Sequence, residues 1–181
     1  ILIMALAATL HKVRMNISDL HRHYYQEHHV TVAQHPSETD TRLMVRLLAF
    51  MRHADPHLRF TKGLSSNDEP EFWLTSADGH ILLWGELGEP SVKRIKQALS
   101  RAEAVVVYSY GGRSALEWWN KHADELTKLP RLQIYHLADP QPAQLAQLCA
   151  RNIDLFATLQ EAEVQLTDGE QNIDLQLIQW R

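Results

Sequence analysis

The sequence predicts a mixed α/β domain in which helices cover a central sheet and further strands flank it at both ends. Three observations predict it. The apolar period changes from strand-like in "HHVTVAQ" to helical in "HPSETDTRLMVRLLAFMRHADP". Two apolar runs then surround Ser-Ala-Asp-Gly in "EFWLTSADGHILLWGE", a hairpin signal. A helical pattern, "PSVKRIKQALSRAEA", leads directly into the buried-strand run "AVVVYSY". From residue 37 onward the order is helix, three strands, helix, strand.

Each element follows from its local pattern. Residues 5–15 and about 22–34 read as strands joined near Asn16–Asp19. Val30 and Val32 alternate with Thr31 and Ala33, which gives one buried face. Leu43, Met44, Leu47, Leu48, Phe50 and Met51 then fill one side of a helix. Pro36 and Ser37 suit its first turn, Asp40 extends the capping signal, and Pro56 lies beyond its end. "LRFT", 58–61, is a short strand ahead of the hairpin. The next helix starts near Ser91, with Val92, Ile95, Leu99 and Ala102 on one stripe. After the strand at 104–110 come a helix from about Ser114 to Glu125, a strand at 131–137 and a helix from about Pro142 to Arg151. "IDLFATL", "AEVQLT" and "NIDLQLIQW" close the chain as alternating segments, the last two divided by "TDGEQN".

A chain of 181 residues, 45% hydrophobic, suits one domain with a sizeable core, taken as residues 4–181. The net charge of −4 supplies no overall basic field, so any DNA or RNA contact must use a local patch. Cys149 is the sole cysteine, which excludes an internal disulfide and fits a reducing, cytoplasmic setting. No apolar run approaches the ~20 residues of a membrane helix. "ILIMALAATL" lacks a basic flank and is not read as a signal peptide; Met4 is a candidate start.

The hairpin carries the chemistry. With a two-residue turn at Asp78-Gly79, Thr75 faces Leu82, Trp73 faces Trp84, and Glu71 faces Glu86, all on one face. Phe72, Leu74, Ile81 and Leu83 make the other face apolar as well, so the hairpin reads as interior. Directly opposed residues sit roughly 5 Å apart at Cβ, and like charges placed so destabilise the pair. A hard divalent cation reverses that sign. The other readings are a protonated acid, a nearby base, or acids simply solvated at strand ends.

The arrangement resembles the core of PD-(D/E)XK nucleases, and more closely the bacterial YaeQ family. The likeness rests on "HPSETDTRLMVRLLAF", "FTKGLSSNDEPEFWL", "LWGELGEPSVKRIKQA" and the "WW" of 118–119, and it runs from "MALAAT" to the closing strand. It implies a nuclease-like fold with added N- and C-terminal strands. It also implies Glu71 and Glu86 as ligands of Mg2+ or Mn2+, with Glu38 as a third acid. The residues themselves only permit Glu38, which is spaced for an i,i+4 ion pair with Arg42. The departure from the nuclease motif is Gly88, where the motif has lysine. An ammonium there orients the attacking water and steadies phosphate charge. Lys96 flanks the apolar stripe of the next helix and is the expected substitute, with Lys93 pointing further outward; the plain alternative for both is a solvated helix face. The resemblance thus implies a metal-dependent phosphodiesterase acting on nucleic acid, with Glu71, Glu86 and Lys96 catalytic. The second reading is a non-catalytic module that binds nucleic acid or protein on a degenerate nuclease fold.

Other signals are weaker. The eleven histidines include His21 and His23 on one expected strand face, but no third ligand has zinc spacing. Ser37, Ser109 and Ser114 lack a nucleophile-elbow context. "YSYGGRS" lacks P-loop spacing, although its helix N-terminus and Arg113 suit a phosphate. Trp118 and Trp119 read as core packing.

Overall fold

The computed structural model describes residues 7–62 and 68–181. Met4 and the start of the first strand, expected at residue 5, lie outside the described residues, as does the 63–67 part of the "FTKGLSSNDEPEFWL" segment. β1 (Thr9–Asp19) and β2 (Tyr24–Gln34) pair antiparallel from Thr9↔Gln34 to Asp19↔Tyr24. Their junction falls after the expected Asn16–Asp19, because alternation continues and Ile17 and Asp19 stay buried. His21 and His23 consequently sit in the turn and not on a strand face.

α1 (Asp40–Arg52) begins after Thr39, whose hydroxyl accepts from the Arg42 amide at 3.1 Å. Pro36 and Ser37 precede the helix. Leu43 through Met51 are buried without interruption, where an amphipathic helix on one sheet buries a single stripe. The reason is that α1 is covered on two sides.

The remaining elements are β3 (Leu58–Phe60), β4 (Phe72–Thr75), β5 (Ile81–Leu87), α2 (Val92–Arg101), β6 (Val105–Gly111), α3 (Arg113–Leu126), β7 (Leu132–Ala138), α4 (Gln141–Ala146), β8 (Asn152–Gln160), β9 (Glu163–Thr167), β10 (Asn172–Gln176) and β11 (Ile178–Gln179). α4 is shorter than the sequence suggests. Most of the flanking strands do not extend the central sheet. They assemble a second sheet in the order β10-β9-β8-β1-β2, with β1 parallel to β8. The central sheet runs β11-β7-β6-β5-β4-β3, parallel from β5 to β7. One core joins α1 to both sheets, through Met15, Leu155 and Leu166 on one side and Phe72, Val106 and Tyr108 on the other. A second core lies between the central sheet and α2 and α3, around Trp84, Ile95, Val107 and Trp118. Trp118 donates to the Pro90 carbonyl at 3.0 Å, and Trp119 stacks on Trp180 with centroids 5.2 Å apart. Both tryptophans thus have packing roles. No helix among the described residues is long and apolar enough to cross a membrane.

In the hairpin, Trp73↔Trp84 and Leu74↔Leu83 pair as expected, but Thr75 faces Ile81 and not Leu82. The loop is longer than Asp78-Gly79 alone. The Ser76 amide donates to the His80 carbonyl at 2.8 Å and the Gly79 amide to Ser76 at 3.0 Å, which shifts the register by one residue at a bulge. Further down, Phe72 lies across Gly85. A Cβ at Gly85 would fall well inside van der Waals contact with the Phe72 ring, and Phe72 is fully buried. Gly85→Ala is therefore expected to cost about 2 kcal/mol through overpacking, read as a lower urea midpoint at unchanged m-value.

Candidate functional site

The acids expected to share a metal are each engaged by arginine. Glu38 precedes the Thr39 cap of α1 and is buried to 6% exposure. Its Oε2 accepts from Arg42 Nη1 at 2.6 Å, so the i,i+4 spacing is used. Its Oε1 accepts from Arg46 Nη2 at 2.7 Å. Arg42 then reaches the hairpin: its Nη2 donates to Glu71 Oε1, and its Nη1 lies 3.4 Å from Glu71 Oε2. Burial works against the Arg42 charge, but the two carboxylates more than offset it and raise the Arg42 pKa. One guanidinium thus bridges two buried carboxylates.

Glu71 lies just before β4, and its amide donates to the Gly85 carbonyl at 2.8 Å. Glu86 lies on β5 and is held from the α2 side. Its Oε1 accepts from Trp84 Nε1 at 2.7 Å and from Arg94 Nε at 2.8 Å. Desolvation raises the Glu86 pKa above the usual carboxylate value, Trp84 and Arg94 oppose the rise, and the Glu71 charge adds to it. Glu71 and Glu86 are therefore neighbours, each with its own guanidinium.

Lys96 does not join this set. Its Nζ donates to Glu125 on α3 at 2.6 Å, and both side chains are half exposed. Lys93 is exposed. The cation beside Glu86 is Arg94, in the first turn of α2, where the Ser91 hydroxyl caps its amide at 3.1 Å. The sequence signal for it was present. Arg94 and Lys96 both lie roughly 100° from the centre of the apolar stripe, on opposite flanks. A helical wheel does not carry the placement of the helix on the sheet, which selects the Arg94 flank. Arg46 was also missed, because its position falls inside an apolar run. Its charge is satisfied by Glu38 and by the Ala33 carbonyl at 2.9 Å, while its guanidinium lies over the Phe60 ring.

A cleft of about 400 Å3 opens onto Glu38 and Glu71, with Arg46, Lys62, His35 and Thr61 on its walls. The Nε of Arg46 is buried and has no hydrogen-bond partner among the described residues. As a metal centre the arrangement does not fit. The Glu38 and Glu71 oxygens accept from arginines, and no three His, Cys, Asp or Glu side chains gather among the described residues as a metal-holding set. What this arrangement can do is hold a charge-balanced wall of two carboxylates and two guanidiniums beside a ligand-sized space.

Elsewhere, Ser109 and His136 form a buried hydrogen bond at 2.8 Å, and the imidazole stacks on Trp180 with centroids 4.1 Å apart. Both residues are sealed within the sheet layer. In "YSYGGRS", Gly112 caps α3 without a side-chain hydrogen bond, and Arg113 pairs with Glu117 at 2.7 Å.

Comparison with known proteins places this geometry among relatives. A family model described as YaeQ protein matches residues 4–177. The chain is 42% identical over 178 residues to the uncharacterized protein YaeQ of Salmonella typhi, covering 98% of each chain. It is 39% identical over 178 residues to the uncharacterized protein YaeQ of Escherichia coli (strain K12), again covering 98% of each. The crystal structure of YaeQ protein from Xanthomonas axonopodis pv. citri superposes with a TM-score of 0.92 at 39% identity, over 95% of this chain and 97% of that one. The crystal structure of YaeQ protein from Pseudomonas syringae gives a TM-score of 0.89 at 32% identity, over 95% of each chain.

Proposed function

This chain belongs to the YaeQ family, and on that premise we propose that it is a nucleic-acid-binding module on a PD-(D/E)XK nuclease-like scaffold, without metal-dependent cleavage. Support for the scaffold comes from the succession α1-β3-β4-β5-α2-β6, with β5 antiparallel to β4 and parallel to β6. The observation that carries the functional reading is the Arg42 bridge between Glu38 and Glu71, together with Arg94 on Glu86. Carboxylates neutralised by guanidinium have lost the reason to recruit a divalent cation. The cleft beside them is lined by the basic side chains of Lys62, His35 and Arg46, the kind of wall that takes phosphate oxygens. With a net charge of −4, such binding has to be local and salt-sensitive.

Arg94 favours a second reading. It places a permanent cation 2.8 Å from Glu86, where Gly88 leaves the nuclease motif without its lysine. Under that reading the chain is a metal-dependent phosphodiesterase whose arginines part when substrate arrives.

One experiment separates the two. Labelled single-stranded DNA, duplex DNA and RNA are titrated by fluorescence anisotropy at low and moderate salt, and the same substrates are incubated with Mg2+ or Mn2+. The expected outcome is binding that weakens with salt, a salt slope reduced by about one unit in Lys62→Glu, and no cleavage. Cleavage that disappears in Glu86→Gln establishes the phosphodiesterase instead. Absence of both binding and cleavage removes both readings.

A further inference from the structure

At the opposite end of α1 from Glu38, about 20 Å along the helix, lies a second cleft of about 570 Å3. That volume is in the range of small-molecule sites. Its walls come from both sheets: Asp19 at the end of β1, Leu159 on β8, Tyr135 on β7 and Gln179 on β11, with Arg52 and His53 closing α1. We propose that this cleft binds a small oxyanion, the phosphate or carboxylate group of a small molecule, through the guanidinium of Arg52 with Arg22 beside it.

Two acids, Asp19 and Glu161, and two arginines, Arg22 and Arg52, line the cleft, but no carboxylate among the described residues comes within ion-pair distance of Arg52. Arg52 Nη1 donates to the Tyr108 hydroxyl at 2.7 Å, Nη2 donates to the Glu161 carbonyl at 3.0 Å, and the guanidinium lies 4.2 Å from the Tyr135 ring centroid. All three partners are neutral, and Arg52 makes no ion pair among the described residues. Two of its five N–H donors are used in these bonds, which leaves three for a ligand. Arg22 is compensated: Asp19 Oδ2 accepts from its Nε at 2.7 Å, and Asp19 Oδ1 is taken by the amides of His21 and Arg22. Asp19 therefore has little left to offer Arg52. Glu161 is exposed and turns its carbonyl to Arg52. His53 adds no acid; its Nε2 shares a hydrogen bond with the Tyr108 hydroxyl at 2.6 Å.

The plain alternative is that Arg52 only caps the C-terminal dipole of α1. That dipole amounts to roughly half a charge, which leaves the remainder of a partly buried guanidinium without a counterion. Its remaining N–H donors are left for solvent or for an anion that enters the cleft. A planar guanidinium fixed by stacking and two hydrogen bonds is preorganised for an oxyanion. Neither reading of the acid–arginine network at the other end of α1 bears on this site.

Isothermal titration and thermal unfolding with inorganic phosphate, and separately with succinate, test it against sodium chloride at matched ionic strength. The expected result is a saturable rise in melting temperature with one of the two anions, and an affinity at least tenfold weaker in Arg52→Gln. Preference for phosphate assigns a phosphate ester, and preference for succinate a carboxylate. Arg22→Gln, on an exposed turn, serves if Arg52→Gln does not fold, and is expected to weaken binding severalfold. No saturable effect beyond that of sodium chloride overturns the proposal, as does unchanged affinity in the folded variants.

Discussion

Replacing Glu38 by glutamine is expected to lower the unfolding free energy by about 3 kcal/mol. Glu38 is buried and accepts from two guanidiniums, Arg42 at 2.6 Å and Arg46 at 2.7 Å. Arg46 is itself only 4% exposed. Glutamine keeps the volume and one acceptor oxygen, so the loss reports the charge. It leaves Arg46 buried beside a neutral amide, and breaking one partner of a buried pair exposes the full desolvation penalty of the other. Urea denaturation with and without EDTA checks it. The drop is expected to be the same in both, because Arg42 and Arg46 are the partners that hold Glu38 in the structure. A Glu38→Gln protein as stable as the parent would mean that the network does not hold the fold, and would return the acids to a catalytic role.

Acid is expected to destabilise the protein through His53. Its ring is walled by Phe72 and Tyr108, and desolvation, with Arg52 and Arg22 nearby, depresses its pKa to about 3. The unfolded value is ~6.5. Below pH 6.5 the unfolded chain binds a proton that the folded chain refuses. Stability is therefore intact above that pH and falls as pH drops from 6.5 toward 3. One proton corresponds to about 1.4 kcal/mol per pH unit; His53 also borders the open cleft, so about 2 kcal/mol is the upper bound on the loss from pH 7 to pH 5. His28 and His136, also depressed by burial, add to the loss with the same sign. Chemical denaturation across that range in the parent and in His53→Gln is the check. The variant should lose about one proton from the slope. Parallel slopes would show that His53 takes up its proton without unfolding.

The sequence carried what local chemistry determines. Trp73↔Trp84 was legible because a hairpin signal and alternation on both strands agree on it. The slip at Thr75↔Ile81 was not, because the loop closes through Ser76 and His80, which a two-residue turn does not anticipate. Glu38 and Arg42 were legible as an i,i+4 pair, whereas the second arm of Arg42, onto Glu71, spans 29 residues and leaves no periodic trace. Continuous burial of α1 required knowing that the flanking strands form a sheet of their own. β1 and β8 each alternate, but nothing in either names the other as its neighbour. The choice of Arg94 over Lys96 beside Glu86 has the same origin.

The parallel pairing of β1 with β8 joins Lys12 to Asn152 and continues to Asp19↔Leu159. During synthesis, β1 waits for a partner made 140 residues later, roughly 7–28 s at ribosomal rates of about 5–20 residues per second. Throughout that interval the far edge of β1, whose Val13, Met15 and Ile17 are buried in the finished protein, has no strand paired to it. The nascent chain therefore carries an open, apolar hairpin edge until most of the protein has emerged, and this is the stage at which chaperone capture or strand-mediated aggregation competes with folding.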